Sequence, residues 1–231
     1  MTAFVLKLIA AVSMLLDHAG LILFPKIGVL RILGRLAFPL YAWCIAEGFR
    51  YTRNRRRYFL RVFLLGAACQ IVYFIVDRTW YLGILLTFSA SIALMAAVDF
   101  VHRSFAEGAP RQTRVLSVSV LVLALAAALI LTSFVTVDYG FFGILLPVFT
   151  NLFPDKKRRL ACFSLGLLAV CLASLSSFPI QFWSLCSIPL LALYNGKPGR
   201  IRMKAFFYIF YPAHLALLYG IGMLLDGGFF S

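Results

Sequence analysis

Residues 4–24 read FVLKLIAAVSMLLDHAGLILF. About 20 apolar residues at 1.5 Å rise per residue are enough to cross the ~30 Å hydrocarbon core of a bilayer, so this run is a membrane span. It is too long for a signal-peptide core, and Asp17 and His18 inside it also argue against a cleavable leader. The pattern recurs near residues 29–50, 58–76, 80–101, 115–135, 139–153, 160–177, 179–194 and 205–225. The chain is 63% apolar, 16% aromatic and 13% charged, with a mean hydropathy of +0.96. A soluble domain of this size has too little polar surface to hide that much hydrocarbon. The expected fold is all-α: one polytopic helical bundle over residues 1–231, with about nine transmembrane helices. The sixth and eighth spans are short, tilted or re-entrant, which widens the range to seven to nine.

The charge is lopsided, with 22 Lys and Arg against 8 Asp and Glu. The basic residues do not form a domain of their own, so nucleic acid is not an expected partner. They cluster between apolar runs, in RYTRNRRRYFLR (50–61), HRSFAEGAPRQTR (102–114), PDKKRR (154–159) and NGKPGRIRMK (195–204), which hold 17 of the 22. With nine spans these four segments fall on one side, joined by Lys7, and only Lys26, Arg31, Arg35 and Arg78 fall opposite. The positive-inside rule then puts the N-terminus in the cytoplasm and the C-terminus outside. Cys44, Cys69, Cys162, Cys171 and Cys186 all lie in apolar stretches without CxxC or Cys/His spacing, and read as small buried hydrophobes. Three scattered histidines without aligned carboxylates predict no metal site.

An ionisable residue in hydrocarbon costs about 2.5–3.5 kcal/mol on insertion scales and needs a partner or a purpose. Asp17 and Arg35 flank the short turn at 25–28 at similar distances, so in an antiparallel hairpin they meet at similar depth. That pair either locks the hairpin or orients a site beside His18. His18 shares a helix face with Lys7, eleven positions earlier. A lone intramembrane histidine is either a helix-to-helix hydrogen bonder or a general base, since it titrates near neutrality. His214 lies two residues after Pro212 in YIFYPAHLALLY (208–219), as part of a packed kink or as a residue facing a ligand beside opened backbone. His102 reads as interfacial, and Glu47 is level with Lys7.

Arg50, Arg53, Arg55, Arg56, Arg57 and Arg61 put six arginines in twelve residues, more than topology requires. They contact anionic lipid, or they form a cytoplasmic clamp for a phosphorylated ligand such as a coenzyme A thioester, because the guanidinium fork fits phosphate. Asp77 and Asp138-Tyr139-Gly140 lie in outer loops, where Asp138 is a candidate helix cap. Asn195-Gly196 and Pro198-Gly199 form a turn signal.

LKLIAAVSMLLDHAG (6–20), LRILGRLAFPLYAWCIAEGFRYTRNRRRYFLR (30–61), DYGFFGILLPV (138–148) and YNGKPGRIRMKAFFYIFYPAHLALLY (194–219) together resemble the TraX family, named for the conjugative F-pilin acetylase. The shared motifs are DH-x-G, GR-x-AFP, EG-x-x-x-T-x-N, DYG-x-x-G and FYIFYP-x-HL. The family is similar to the wider membrane acyltransferases, whose first helix carries an Arg and a His with ten residues between them. The counterpart here is Lys7 and His18, with lysine replacing arginine. The resemblance implies acyl transfer, acetyl first, from cytoplasmic acyl-CoA to an amine or hydroxyl on a peptide, glycan or small molecule, with pilin as the named member's acceptor.

The mechanism this implies uses His18 as general base, Asp17 braced by Arg35, and Arg35, Tyr139 and His214 as candidate oxyanion donors. Lys7, Arg53, Arg55, Arg56, Arg57 and Arg61 are the candidate ligands of acyl-CoA. Direct transfer and a ping-pong route through acyl-histidine both remain open. Two other classes compete with this one: a small transporter or permease, and a non-catalytic scaffold for pilus or secretion assembly.

Overall fold

The computed structural model describes residues 1–77, 81–176, 179–199 and 204–225. Arg78 and residues 200–203, counted above among the loop charges, lie outside the described residues. The described chain is nearly all helical. In order it forms α1 (Ala3–Ile22), α2 (Gly28–Gly34), α3 (Ala37–Tyr51), α4 (Arg55–Asp77), α5 (Ile84–Ala106) and α6 (Arg111–Phe134). These are followed by α7 (Gly140–Asn151), α8 (Lys156–Ala173), a 3-10 helix (Pro179–Cys186), α9 (Ser187–Ala192) and α10 (Lys204–Leu225). The all-α expectation holds with one addition, a two-residue strand β1 (Tyr81–Leu82) paired in parallel with β2 (Thr136–Val137).

Four of the described helical spans are long and apolar enough to cross a membrane: α1, Gly28–Tyr51 (α2 and α3 together), α5 and α6. This is a membrane protein. Helix α6 states the reason most directly, because only Ser117 and Ala128 are buried along its 24 residues. Leu123, Ile130 and Phe134 stand exposed on it, a surface suited to lipid as solvent. The shorter apolar helices are Gly140–Asn151, Pro179–Ala192 and Ile209–Leu225. The 12 residues of α7 reach only about 18 Å against a ~30 Å core. The span expected over 179–194 is not one α-helix. Pro189 lies inside it and lacks a backbone N–H, and the segment divides into a 3-10 helix and a six-residue α9. The expected second span is also divided, between Gly34 and Ala37.

By contacts the chain falls into two compact units, residues 1–44 with 167–231, and residues 45–166. In the first, α1 packs along α2 and α10, and α2 touches the 3-10 helix. Leu6, Ala10, Leu40, Trp43, Leu167, Val170 and Leu191 are its fully buried core. Glycine sets the α1–α2 spacing. A Cβ on Gly20 would lie 2.8 Å from the Leu30 Cβ, and one on Gly34 would collide with Asp17. Close approach through small residues is how membrane helices gain packing without a hydrophobic drive. The N-terminus is tied to the turn that the sequence marked at 195–199. The Met1 ammonium donates to the Leu193 carbonyl (2.8 Å). Asn195 N–H donates to Met1 O (2.9 Å) and Ala3 N–H to Lys197 O (2.9 Å). Gly196 and Gly199 take positive φ there.

In the second unit α5 is central, packed by α4, α6 and α7. Phe88, Ile92, Leu94 and Met95 of α5 meet a core with Ile144 and Leu146 of α7. Ser91 Oγ ties the two helices through the Ile144 carbonyl (2.7 Å). Three of the expected basic segments gather at one end of this unit. Arg50 donates to the carbonyls of Phe153 (3.2 Å) and Pro154 (3.1 Å), Arg159 pairs with Glu47, and Arg55 and Arg103 share Asp99. The β1–β2 pair closes the opposite end. There Thr87 Oγ1 donates to the Asp138 carbonyl (3.1 Å) and Gln70 Oε1 accepts from Gly83 N–H (3.3 Å). Asp138 does not cap α7. Tyr139 takes that position, in left-handed backbone with φ 60° and no side-chain cap bond.

Candidate functional site

The intramembrane charges converge where α1 meets α2. Asp17 Oδ1 accepts from Arg35 Nη2 and also pairs with Arg31 Nη1 at 3.1 Å. Arg31 Nη1 also donates to the Asp17 carbonyl at 3.3 Å. Arg35 is buried and held on all sides, donating Nε–H to the Arg31 carbonyl (3.3 Å) and Nη1–H to Gln181 Oε1 (3.4 Å). The Asp17–Arg35 meeting that the hairpin geometry implied is present. Arg31, counted above only among the charges opposite the basic segments, is a second partner. One carboxylate between two guanidiniums leaves net positive charge beside His18.

His18 and His214 meet directly. His18 Nδ1 lies 2.7 Å from His214 Nε2, and His214 Nδ1 lies 2.7 Å from the Phe210 carbonyl oxygen. A carbonyl only accepts, so His214 Nδ1 carries a proton. In a neutral ring its Nε2 is then an acceptor, and His18 Nδ1–H is the donor. The chain of bonds therefore fixes the neutral His18 tautomer with a lone pair on Nε2. No described residue bonds that Nε2, and the ring is half-buried. Such an imidazole is oriented through one nitrogen and leaves the other unengaged among the described residues. His214 is 3% exposed, with the Phe210 ring stacked on it at 5.0 Å between centroids. Pro212 lies inside α10, two residues from each of them. Asp17 gives its carboxylate to the arginines rather than to His18.

Gln181 and Ser184 were not singled out from the sequence. Gln181 is 1% exposed, and its amide Nε2 has no partner among the described residues. Its signal was a lone amide in the apolar run PIQFWSLC (179–186). Cys171 Sγ lies 3.4 Å from Ser184 Oγ nearby. Cys44 and Cys171 are buried as expected, but Cys186 is exposed at the end of the 3-10 helix. Among the described residues no group of His, Cys, Asp or Glu is placed to hold a metal ion.

The remaining candidates lie elsewhere. Lys7 is half-buried on α1. Tyr139 and the arginines of 50–61 belong to the second unit. There Arg55 is spent on Asp99 and stacks over the Phe49 ring, 4.5 Å from its centroid. Arg53, Arg56, Arg57 and Arg61 are exposed. His102 is exposed near the end of α5.

The family model described as TraX protein matches residues 3–222. The chain belongs to the TraX family. Among curated proteins it is 27% identical to "Probable fimbrial assembly protein FimC, serogroup H1" of Dichelobacter nodosus, over 97% of each chain. It is 29% identical to "Protein TraX" of Escherichia coli, over 93% of this chain and 84% of that one. A third match is 33% identical to the uncharacterised protein RP591 of Rickettsia prowazekii, over 29% of this chain. No solved structure matches. In this TraX chain the DH-x-G and GR-x-AFP motifs supply the Asp17–Arg35 pair and the Gly34 contact, and FYIFYP-x-HL supplies the partner of His18.

Proposed function

We propose that this TraX-family chain is a multi-pass acyltransferase of a bacterial inner membrane, N-terminus cytoplasmic, crossing about nine times with its short helices tilted or paired. It moves an acyl group, acetyl first, from acyl-CoA to an amine or hydroxyl acceptor. The observation that carries this reading is the His18–His214–Phe210 carbonyl chain, which holds a base in one tautomer. The acceptor nitrogen or oxygen attacks the thioester carbonyl and forms the new C–N or C–O bond. Its proton passes to His18 Nε2, the C–S bond breaks, and His18 returns the proton to the coenzyme A thiolate. His214 positions the base, since both of its ring nitrogens are engaged. Arg35 braces Asp17, and the Gln181 amide is a further candidate donor for the developing oxyanion. Arg53, Arg57 and Arg61 are available for the coenzyme A phosphates.

The name of the Dichelobacter relative, a fimbrial assembly protein, favours a pilus subunit as acceptor. It equally supports a second reading, a non-catalytic assembly role. One experiment separates them. Detergent-solubilised protein is incubated with labelled acetyl-CoA and candidate acceptors, including pilin N-terminal peptides. Label moves to an acceptor with the native chain and not with His18→Ala. Equal turnover by the folded His18→Ala protein refutes the mechanism, and no acetyl-CoA binding by the native chain favours the assembly role.

A further inference from the structure

Between α4, α5 and α6 the second unit holds an open cavity of about 540 Å³, within the ~300–1,000 Å³ range of small-ligand sites. Ala93, Ala96 and Ala97 of α5 and Ala124 of α6 leave it hollow, and Phe59 and Phe100 wall it. Its polar groups are gathered at one end, where Arg55 and Arg56 line the mouth. Arg55 is fixed there by Asp99 and the Phe49 ring. Arg56 is exposed and has no partner among the described residues. Arg103 also sits on Asp99, so the local balance of these three arginines and one carboxylate is positive.

The dimensions suit one kind of occupant. Along α5 the lining runs from Ile92 to Phe100, roughly 12 Å of helix axis, close to the hydrocarbon depth of one leaflet, about half of ~30 Å. The arginines mark the end at which the basic loops of this unit collect, where a headgroup would lie. We propose that this groove binds one anionic phospholipid of the surrounding leaflet, its acyl chain between Phe59 and Phe100 and its phosphate on Arg56. The site uses neither His18 nor its neighbours, and it gives to a lipid headgroup Arg55 and Arg56, two of the arginines that the resemblance would assign to acyl-CoA.

The test is native mass spectrometry of the purified full chain, equilibrated with equal phosphatidylglycerol and phosphatidylcholine. One phosphatidylglycerol is retained per chain in preference to phosphatidylcholine. Arg56→Glu, at an exposed side chain, lowers that preference by more than fivefold, the factor matching about 1 kcal/mol per basic residue at an anionic surface. Ala93→Trp fills the groove, keeps the charge and lowers retention of both lipids. Equal retention of the two headgroups by the native chain overturns the proposal. So does undiminished binding by both variants, or displacement of the lipid by an equimolar amount of palmitoyl-CoA, which makes the groove a thioester site.

Discussion

Gly34→Ala separates helix propensity from helix approach. Alanine in place of glycine within a helix stabilises by about 0.8–1.0 kcal/mol when nothing opposes it. At Gly34 the new methyl would fall on the Asp17 Cβ and Oδ1, and 2.7 Å from the Asp17 Cα. The last of these is backbone, which cannot swing aside, so α2 must move off α1. Overpacking of this kind costs about 1–3 kcal/mol. Displacing Asp17 also loosens its bonds to Arg31 and Arg35, and a broken buried pair costs about 3–5 kcal/mol. Taking strain plus part of the ion-pair loss, less the propensity gain, the expected net is about 2 kcal/mol of destabilisation or more. For a chain of this size that is a fall in melting temperature of about 4–8 °C. Gly28→Ala is the control, because nothing lies within 4 Å of a Cβ there, and its melting temperature stays level or rises. The assay is thermal unfolding of both variants in the same detergent. A Gly34→Ala protein as stable as Gly28→Ala refutes the close α1–α2 contact and the Asp17 site built on it.

Glu47→Gln removes the carboxylate charge opposite the buried Arg159, whose side chain is 6% exposed, and should cost about 3–5 kcal/mol, while Glu47→Leu with Arg159→Met recovers most of it; thermal unfolding of single and double variants checks this. Arg103→Ala should cost under about 0.5 kcal/mol by the same measure, because its side chain is 60% exposed and its i,i+4 bond to Asp99 is shared with Arg55. His214→Leu should lower kcat of acyl transfer, by at most the ~10²–10⁴-fold that the base it positions contributes, with KM little changed. His214→Gln, which keeps an acceptor for His18 Nδ1–H, should recover part of that loss, and equal kcat for the two variants refutes the positioning role. Charge reversal at Arg53, Arg57 and Arg61 should raise KM for acyl-CoA and leave kcat intact, measured in the same transfer assay.

What the sequence made legible was local. Asp17 and Arg35 lie eighteen residues apart across one short turn, so helix rise alone put them at one depth. The hydrophobic period marked every long helix. It failed where proline fell within a run, at Pro189, and where two residues of β-strand were too short to show alternation. His18 and His214 were each singled out, but 196 positions separate them, and no period or motif spacing relates one helix end to another across the chain. Asp138 looked like a cap because its side chain suits one. The left-handed Tyr139 shifts the helix start by one residue, a backbone choice that residue type does not announce.

The larger gap concerns how basic residues are used. Counted as loop charges, Arg31, Arg50, Arg55 and Arg159 serve topology. In the fold Arg31 sits on Asp17, Arg50 on two carbonyls, Arg55 on Asp99 and Arg159 on Glu47. A guanidinium at a helix end can do both, since its stem lies along apolar surface while its fork reaches a partner near the interface. The arginines left for ligands are those that packing has not claimed. Density in sequence does not separate the candidates: Arg55 lies at the centre of the run and pairs with Asp99, whereas Arg56 beside it is exposed and lines a groove. Ligand roles for a basic cluster follow from the carboxylates and carbonyls within reach, and Asp99, four residues before Arg103 on α5, is the group that decides it here.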